Sequence, residues 1–173
     1  MASSTEAPQR STADLIYDAF FSGAIGGSVV ALFFLFVDLA RAEPLFTPSL
    51  MGSVLFLNMA ATDVVDVSLN AVAYFSAVHF AACIVLGTMV TWLVHEVELH
   101  STHPVALLLV LFAVIEVLFL LTVSLVMPGV VEQLGVVRVG FANLLAASAM
   151  SLFFVLSHRE KAWEKMKHAA HLA

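Results

Sequence analysis

The stretch AVAYFSAVHFAACIVLGTMVTWLVH, residues 71–95, contains no Lys, Arg, Asp or Glu and places one histidine, His79, near its middle. A helix crosses a hydrocarbon core of about 30 Å with roughly 20 apolar residues at 1.5 Å each, so this segment predicts a membrane-spanning helix. A titratable side chain at that depth is costly and marks a functional candidate.

The composition agrees with a membrane protein. Of 173 residues, 61% are hydrophobic and only 12% charged, with a mean hydropathy of +1.01, whereas soluble domains carry about a quarter charged residues. The formal charge of -6 argues against a nucleic-acid partner, because phosphate binding needs a basic patch. Cys83 is the only cysteine, which excludes an intrachain disulfide and a thiolate zinc motif.

Working outward, three further stretches predict spans, giving about 15–40, 69–94, 104–127 and 136–156. Asp38, Arg41, Glu43 and Pro44 stop the first, Pro104 opens the third, and Pro128-Gly129 follows it. The expected architecture is all-α: a single four-span domain over 15–157, between a polar leader (1–14) and a basic tail (158–173). The leader lacks the pattern of a cleaved signal peptide.

Between the first two spans, LFTPSLMGSVLFLNMAATDVVDVS is too short to cross and too apolar for a loop. Thr47-Pro48 reads as a helix start, predicting an interfacial or partly re-entrant helix over about 48–61. Asp38, three residues before Arg41, reads as one half of an interfacial ion pair.

Orientation follows from Lys and Arg. Arg10, Arg159, Lys161, Lys165 and Lys167 share one side and only Arg41 and Arg138 the other, so both termini are expected in the cytoplasm of a bacterial inner-membrane protein. Trp163 and the basic tail suit a cytoplasmic extension of the fourth helix.

Helices in lipid associate through small residues and interhelical hydrogen bonds. Ala19, Gly23, Gly27 and Ala31 form such a stripe in the first span, and His79, Cys83, Gly87 and Thr91 share a face of the second. The Gly23/Gly27 pair is a candidate contact either within the chain or in a homo-oligomer. Glu116 is the one charged residue of the third span, and Asn143 lies on the fourth. Counted from one membrane face, His79, Glu116 and Asn143 lie roughly 15, 16 and 11 Å deep, an intramembrane polar layer.

That layer has three readings. It can hold the helices in register; it can bind a haem, a chlorophyll-type pigment or a metal ion at His79, with Glu116 as a second ligand and Ala77, Ala81 and Ala82 leaving space; or it can pass protons. One histidine and one carboxylate fall short of the three or four ligands of most metal sites. His95, His100 and His103, with Glu96 and Glu98, form a second candidate metal cluster in a turn. No Ser-His-Asp arrangement, phosphate loop or HExxH motif occurs.

The segments FFSGAIGGSVVALFFLFVDLARAEPLFTPSLMG, AVHFAACIVLG, AVIEVLFL and GFANLLAASAM resemble a family of small, uncharacterised four-span bacterial membrane proteins. The resemblance implies the four-span fold and brings no activity, ligand or catalytic residue. The expected function is a non-enzymatic accessory or scaffold subunit, in contact with the lipid bilayer and a membrane-protein partner or further copies of itself. The competing expectation is a redox protein with a cofactor or metal at His79 and Glu116.

Overall fold

The computed structural model describes the backbone of residues 11–100 and 104–171, and the side chains of residues 11–94 and 109–157. Its elements are α1 (Thr12–Ala40), α2 (Phe46–Leu57), a 3-10 turn (Ala61–Asp63), α3 (Leu69–His100), α4 (Pro104–Val126), α5 (Val130–Leu134) and α6 (Val136–His171). Among the described residues there is no strand. Segments of α1, α3, α4 and α6 are long and apolar enough to cross a membrane. The backbone of α6 continues through the basic tail to His171.

The four long helices pack as an array with α1 and α6 at its centre: α3 lies on α1, α1 on α6, and α6 on α4. Glycine decides the closest of these contacts. A Cβ on Gly23 would lie 2.3 Å from the carbonyl oxygen of Cys83, and one on Gly87 would lie 2.2 Å from that of Ala19. Backbone meets backbone there, a separation that only a residue without a side chain permits. The Gly23/Gly27 stripe is therefore occupied by α3 of the same chain. Gly26, on another face of α1, receives Met150 of α6.

Two apolar clusters close the array. Near one end, Val90 and Val94 of α3 meet Leu111 and Ile115 of α4 and Met150 and Phe154 of α6. Toward the other end, Leu50 and Met51 of α2 share a cluster with Phe34 of α1, Val123 of α4, Val139 of α6 and Met127, and Phe75 of α3 packs against it.

The helix between the first two spans is thus part of the core at its end of the molecule. Six of its residues are buried, Leu50 completely, and a Cβ on Gly52 would lie 2.1 Å from the Ala71 carbonyl oxygen of α3. It begins at Phe46, with Leu45 at the N-cap in the left-handed region (φ 68°), and ends at Leu57 before Asn58 (φ 54°). Thr47 sits inside the first turn instead of at the cap.

Candidate functional site

The side chains that sequence reasoning grouped as one polar layer make two separate sets of bonds. Glu116 on α4 and Asn143 on α6 meet: the Asn143 amide Nδ2 donates to Glu116 Oε2 at 2.7 Å. Asn143 is buried and Glu116 half-buried, and Gly140, one turn before Asn143, leaves room for the second carboxyl oxygen. The expected place for a Cβ on Gly140 is 3.7 Å from Glu116 Oε1.

His79 is bonded elsewhere. Its Nε2 lies 3.0 Å from the backbone oxygen of Gly27 on α1. A carbonyl oxygen only accepts, so Nε2 carries the proton in this bond. The sulfur of Cys83 lies 3.8 Å from the same nitrogen, and Phe75 and Phe80 flank the ring with centroids at 5.7 and 5.4 Å. His79 is half-buried between α3 and α1, while Ala77, Ala81 and Ala82 are exposed. A nitrogen that donates its proton to a carbonyl has no lone pair for a metal. A tetrapyrrole or metal at Nε2 requires that bond to break, whereas Nδ1 keeps its lone pair in this tautomer; the Nε2 bond itself clamps α3 to α1.

A second set of polar groups went unnoticed as a unit in the sequence. Asp38, one of the last residues of α1, is buried to 1% exposure, and its carboxylate is directed at α2. Oδ2 accepts the Thr47 backbone N–H and Oδ1 accepts the Thr47 hydroxyl, both at 2.7 Å. The first N–H groups of a helix lack intrahelical acceptors and attract negative charge. Asp38 supplies this acceptor from the preceding helix, because Leu45 at the N-cap has no side chain able to do so. The hydrogen-bond partner of Asp38 is thus Thr47, while Arg41, expected as its ion-pair partner, acts on it as a nearby charge. Its signal in the sequence was a carboxylate shortly before a Thr-Pro helix start.

The tight link is held further by Arg41 and Glu43 N–H groups on the Asp38 carbonyl, with Ala42 in the left-handed region (φ 61°). On the far side of α2, Ser49 Oγ accepts the Ser68 N–H at 2.8 Å, joining α2 to the start of α3. At the opposite end of the α1–α3 contact, buried Ser22 donates to the Ala19 and Gly87 carbonyls at 3.2 and 3.4 Å. Asp18, fully buried, lies one turn before Ser22, and among the described residues the buried hydroxyls of Thr91 and Ser151 have no hydrogen-bond partner.

Among the described residues, no three His, Cys, Asp or Glu side chains gather to hold a metal ion. The His95, His100 and His103 cluster lies outside the residues whose side chains are described. A cleft of about 410 Å³ opens beside the end of α2, lined by Val54, Asn58, Met59, Ala61, Val126 and Pro128 among others. No lining residue is ionisable; the hydroxyl that lines it, that of Thr62, donates to the Asp63 carboxylate at 3.1 Å.

Comparison of the chain with protein-family models, with curated proteins and with solved structures finds no match.

Proposed function

We propose that this chain is a polytopic membrane protein of the bacterial inner membrane, with both termini in the cytoplasm, acting as a non-enzymatic accessory or scaffold subunit of a larger membrane complex. The observation that carries this reading is where the polar side chains point. His79 is bonded to the Gly27 carbonyl, Asp38 to Thr47, Ser22 to the Gly87 carbonyl and Asn143 to Glu116, so each joins one helix to another. Groups engaged in this way hold helices together, and among the described residues no three His, Cys, Asp or Glu side chains gather into a metal-ligand set.

What remains for function is the outer surface, and it is broad and apolar. Val85 (63%), Trp92 (65%), Val117 (63%) and Leu125 (75%) are among the large exposed side chains of α3 and α4. Such a surface suits lipid and the helices of a membrane partner.

Crosslinking in native membranes followed by native electrophoresis tests the proposal. The expected result is a defined complex containing other polypeptides; a chain recovered only as monomer overturns it. An absorption spectrum and metal analysis of the purified protein supply the second arm. A Soret band or stoichiometric metal that disappears in His79→Ala would replace the scaffold by the redox reading.

A further inference from the structure

Glu116 is the ionisable group of the α4 apolar segment, and it is only half satisfied. Its Oε2 accepts from Asn143, while among the described residues no donor reaches Oε1. The residue is half-buried, and its neighbours Ala113 and Val117 are exposed, with Leu121 at 56% one turn farther on. Gly140 lies beneath the same oxygen and presents no side chain. The carboxyl therefore sits in the seam between α4 and α6, with one oxygen open toward the exterior of the array. In the hydrocarbon core there is no water to supply the missing hydrogen bond, and an ionisable group there pairs with a complementary one.

We propose that the α4–α6 seam at Glu116 is the docking site for a transmembrane helix of a different protein, one that presents a basic side chain at the depth of Glu116. The argument is charge complementarity, and it rests on the accessory-subunit reading above. A second copy of this chain is a poor source of the cation. The apolar segments of α1, α3 and α4 contain no Lys or Arg, and the sole base in that of α6 is Arg138. Arg138 lies five residues before Asn143, about 7.5 Å nearer the helix end, and donates to the Leu134 carbonyl. The missing Cβ at Gly140 lets a partner helix approach closely, so that a lysine or arginine reaches Oε1 while Asn143 keeps Oε2 oriented.

The test uses the full chain, labelled with a donor fluorophore on its C-terminal tail and reconstituted in phosphatidylcholine vesicles. The probes are acceptor-labelled polyleucine transmembrane peptides bearing one central Lys, one central Glu, or neither. Energy transfer should show the Lys peptide associating roughly tenfold more tightly than the all-Leu peptide, and the Glu peptide no better than all-Leu. Glu116→Gln should abolish the preference; it keeps an acceptor for Asn143, and unchanged thermal stability verifies that the fold survives. Glu132→Gln, at an exposed position outside the apolar segments, should leave the preference intact.

Equal association of the Lys and all-Leu peptides, or a Lys preference that persists in Glu116→Gln, overturns the proposal. So does complete modification of Glu116 by dicyclohexylcarbodiimide that saturating Lys peptide does not slow, because the open oxygen then serves a proton alone. Self-association strong enough to exclude the Lys peptide would assign the seam to a second copy and also overturn it. A native hetero-complex that Glu116→Gln leaves intact would sink this assignment without touching the subunit reading; the absence of any complex would sink the subunit reading itself.

Discussion

Gly87→Ala is the substitution whose consequence the structure defines most sharply. The added Cβ would lie 2.2 Å from the Ala19 carbonyl oxygen and 2.6 Å from the Gly23 nitrogen. Both neighbours are backbone, so no rotamer change relieves the overlap. Reaching the 3.4 Å at which ordinary contact begins requires α1 and α3 to part by about 1.2 Å. The same movement lengthens the His79–Gly27 hydrogen bond from 3.0 Å to beyond bonding distance. Overpacking of this kind costs about 1–3 kcal/mol and the lost interhelical bond about 0.6 kcal/mol more, together about 2–4 kcal/mol, one to three decades in the unfolding equilibrium. Unfolding in mixed micelles measures the loss. Alkylation of Cys83, whose sulfur is packed where a Cβ of Gly27 would come within 3.0 Å, reports the opening directly and should accelerate. Gly140→Ala is the matched control: its nearest neighbour would be 3.7 Å away, so it should be neutral or slightly stabilising. If Gly87→Ala unfolds and alkylates like the wild type, the proposed α1–α3 crossing is wrong.

Three further outcomes follow from the same geometry. Asp38→Ala leaves the buried N–H and hydroxyl of Thr47 without acceptors, costing about 1–3 kcal/mol, and hydrogen exchange over residues 46–57 should rise while that of α6 does not. Gly52→Ala drives a Cβ to 2.1 Å from the Ala71 carbonyl oxygen and should destabilise clearly in thermal unfolding, whereas Gly26→Ala should be milder, because the atoms it meets belong to the flexible Met150 side chain. For Glu116 and Asn143, a double-mutant cycle with Leu at each position should return a coupling energy of about 0.6–2 kcal/mol in micellar unfolding; a value of zero would show that the 2.7 Å bond is absent.

The sequence by itself determined that the chain is helical and that four segments can span a membrane. Length, absence of charge and flanking prolines are local properties, and in hydrocarbon a backbone must satisfy its own hydrogen bonds, which leaves the helix as the local solution. Periodicity also put Gly23, Gly27, His79, Cys83 and Gly87 on packing faces, since one helical turn fixes which residues share a side. It left open which helix each face meets. Only the tertiary structure paired Gly23 and Gly27 with α3 and Gly26 with α6, and it alone separated His79 from the Glu116–Asn143 pair. Depth along the membrane places residues at one level, but hydrogen bonds depend on the lateral order of the helices, which arises from many long-range contacts. The role of α2 was hidden for the same reason. Its apolar run is equally consistent with a surface lid and a core helix; the contact of Gly52 with the α3 backbone and the capping of its N-terminus by Asp38 decide between them. The open oxygen of Glu116 belongs to this second class. A lone glutamate in an apolar span is visible in the sequence, but whether its carboxyl is enclosed or offered to a partner depends on the residues the fold places beside it.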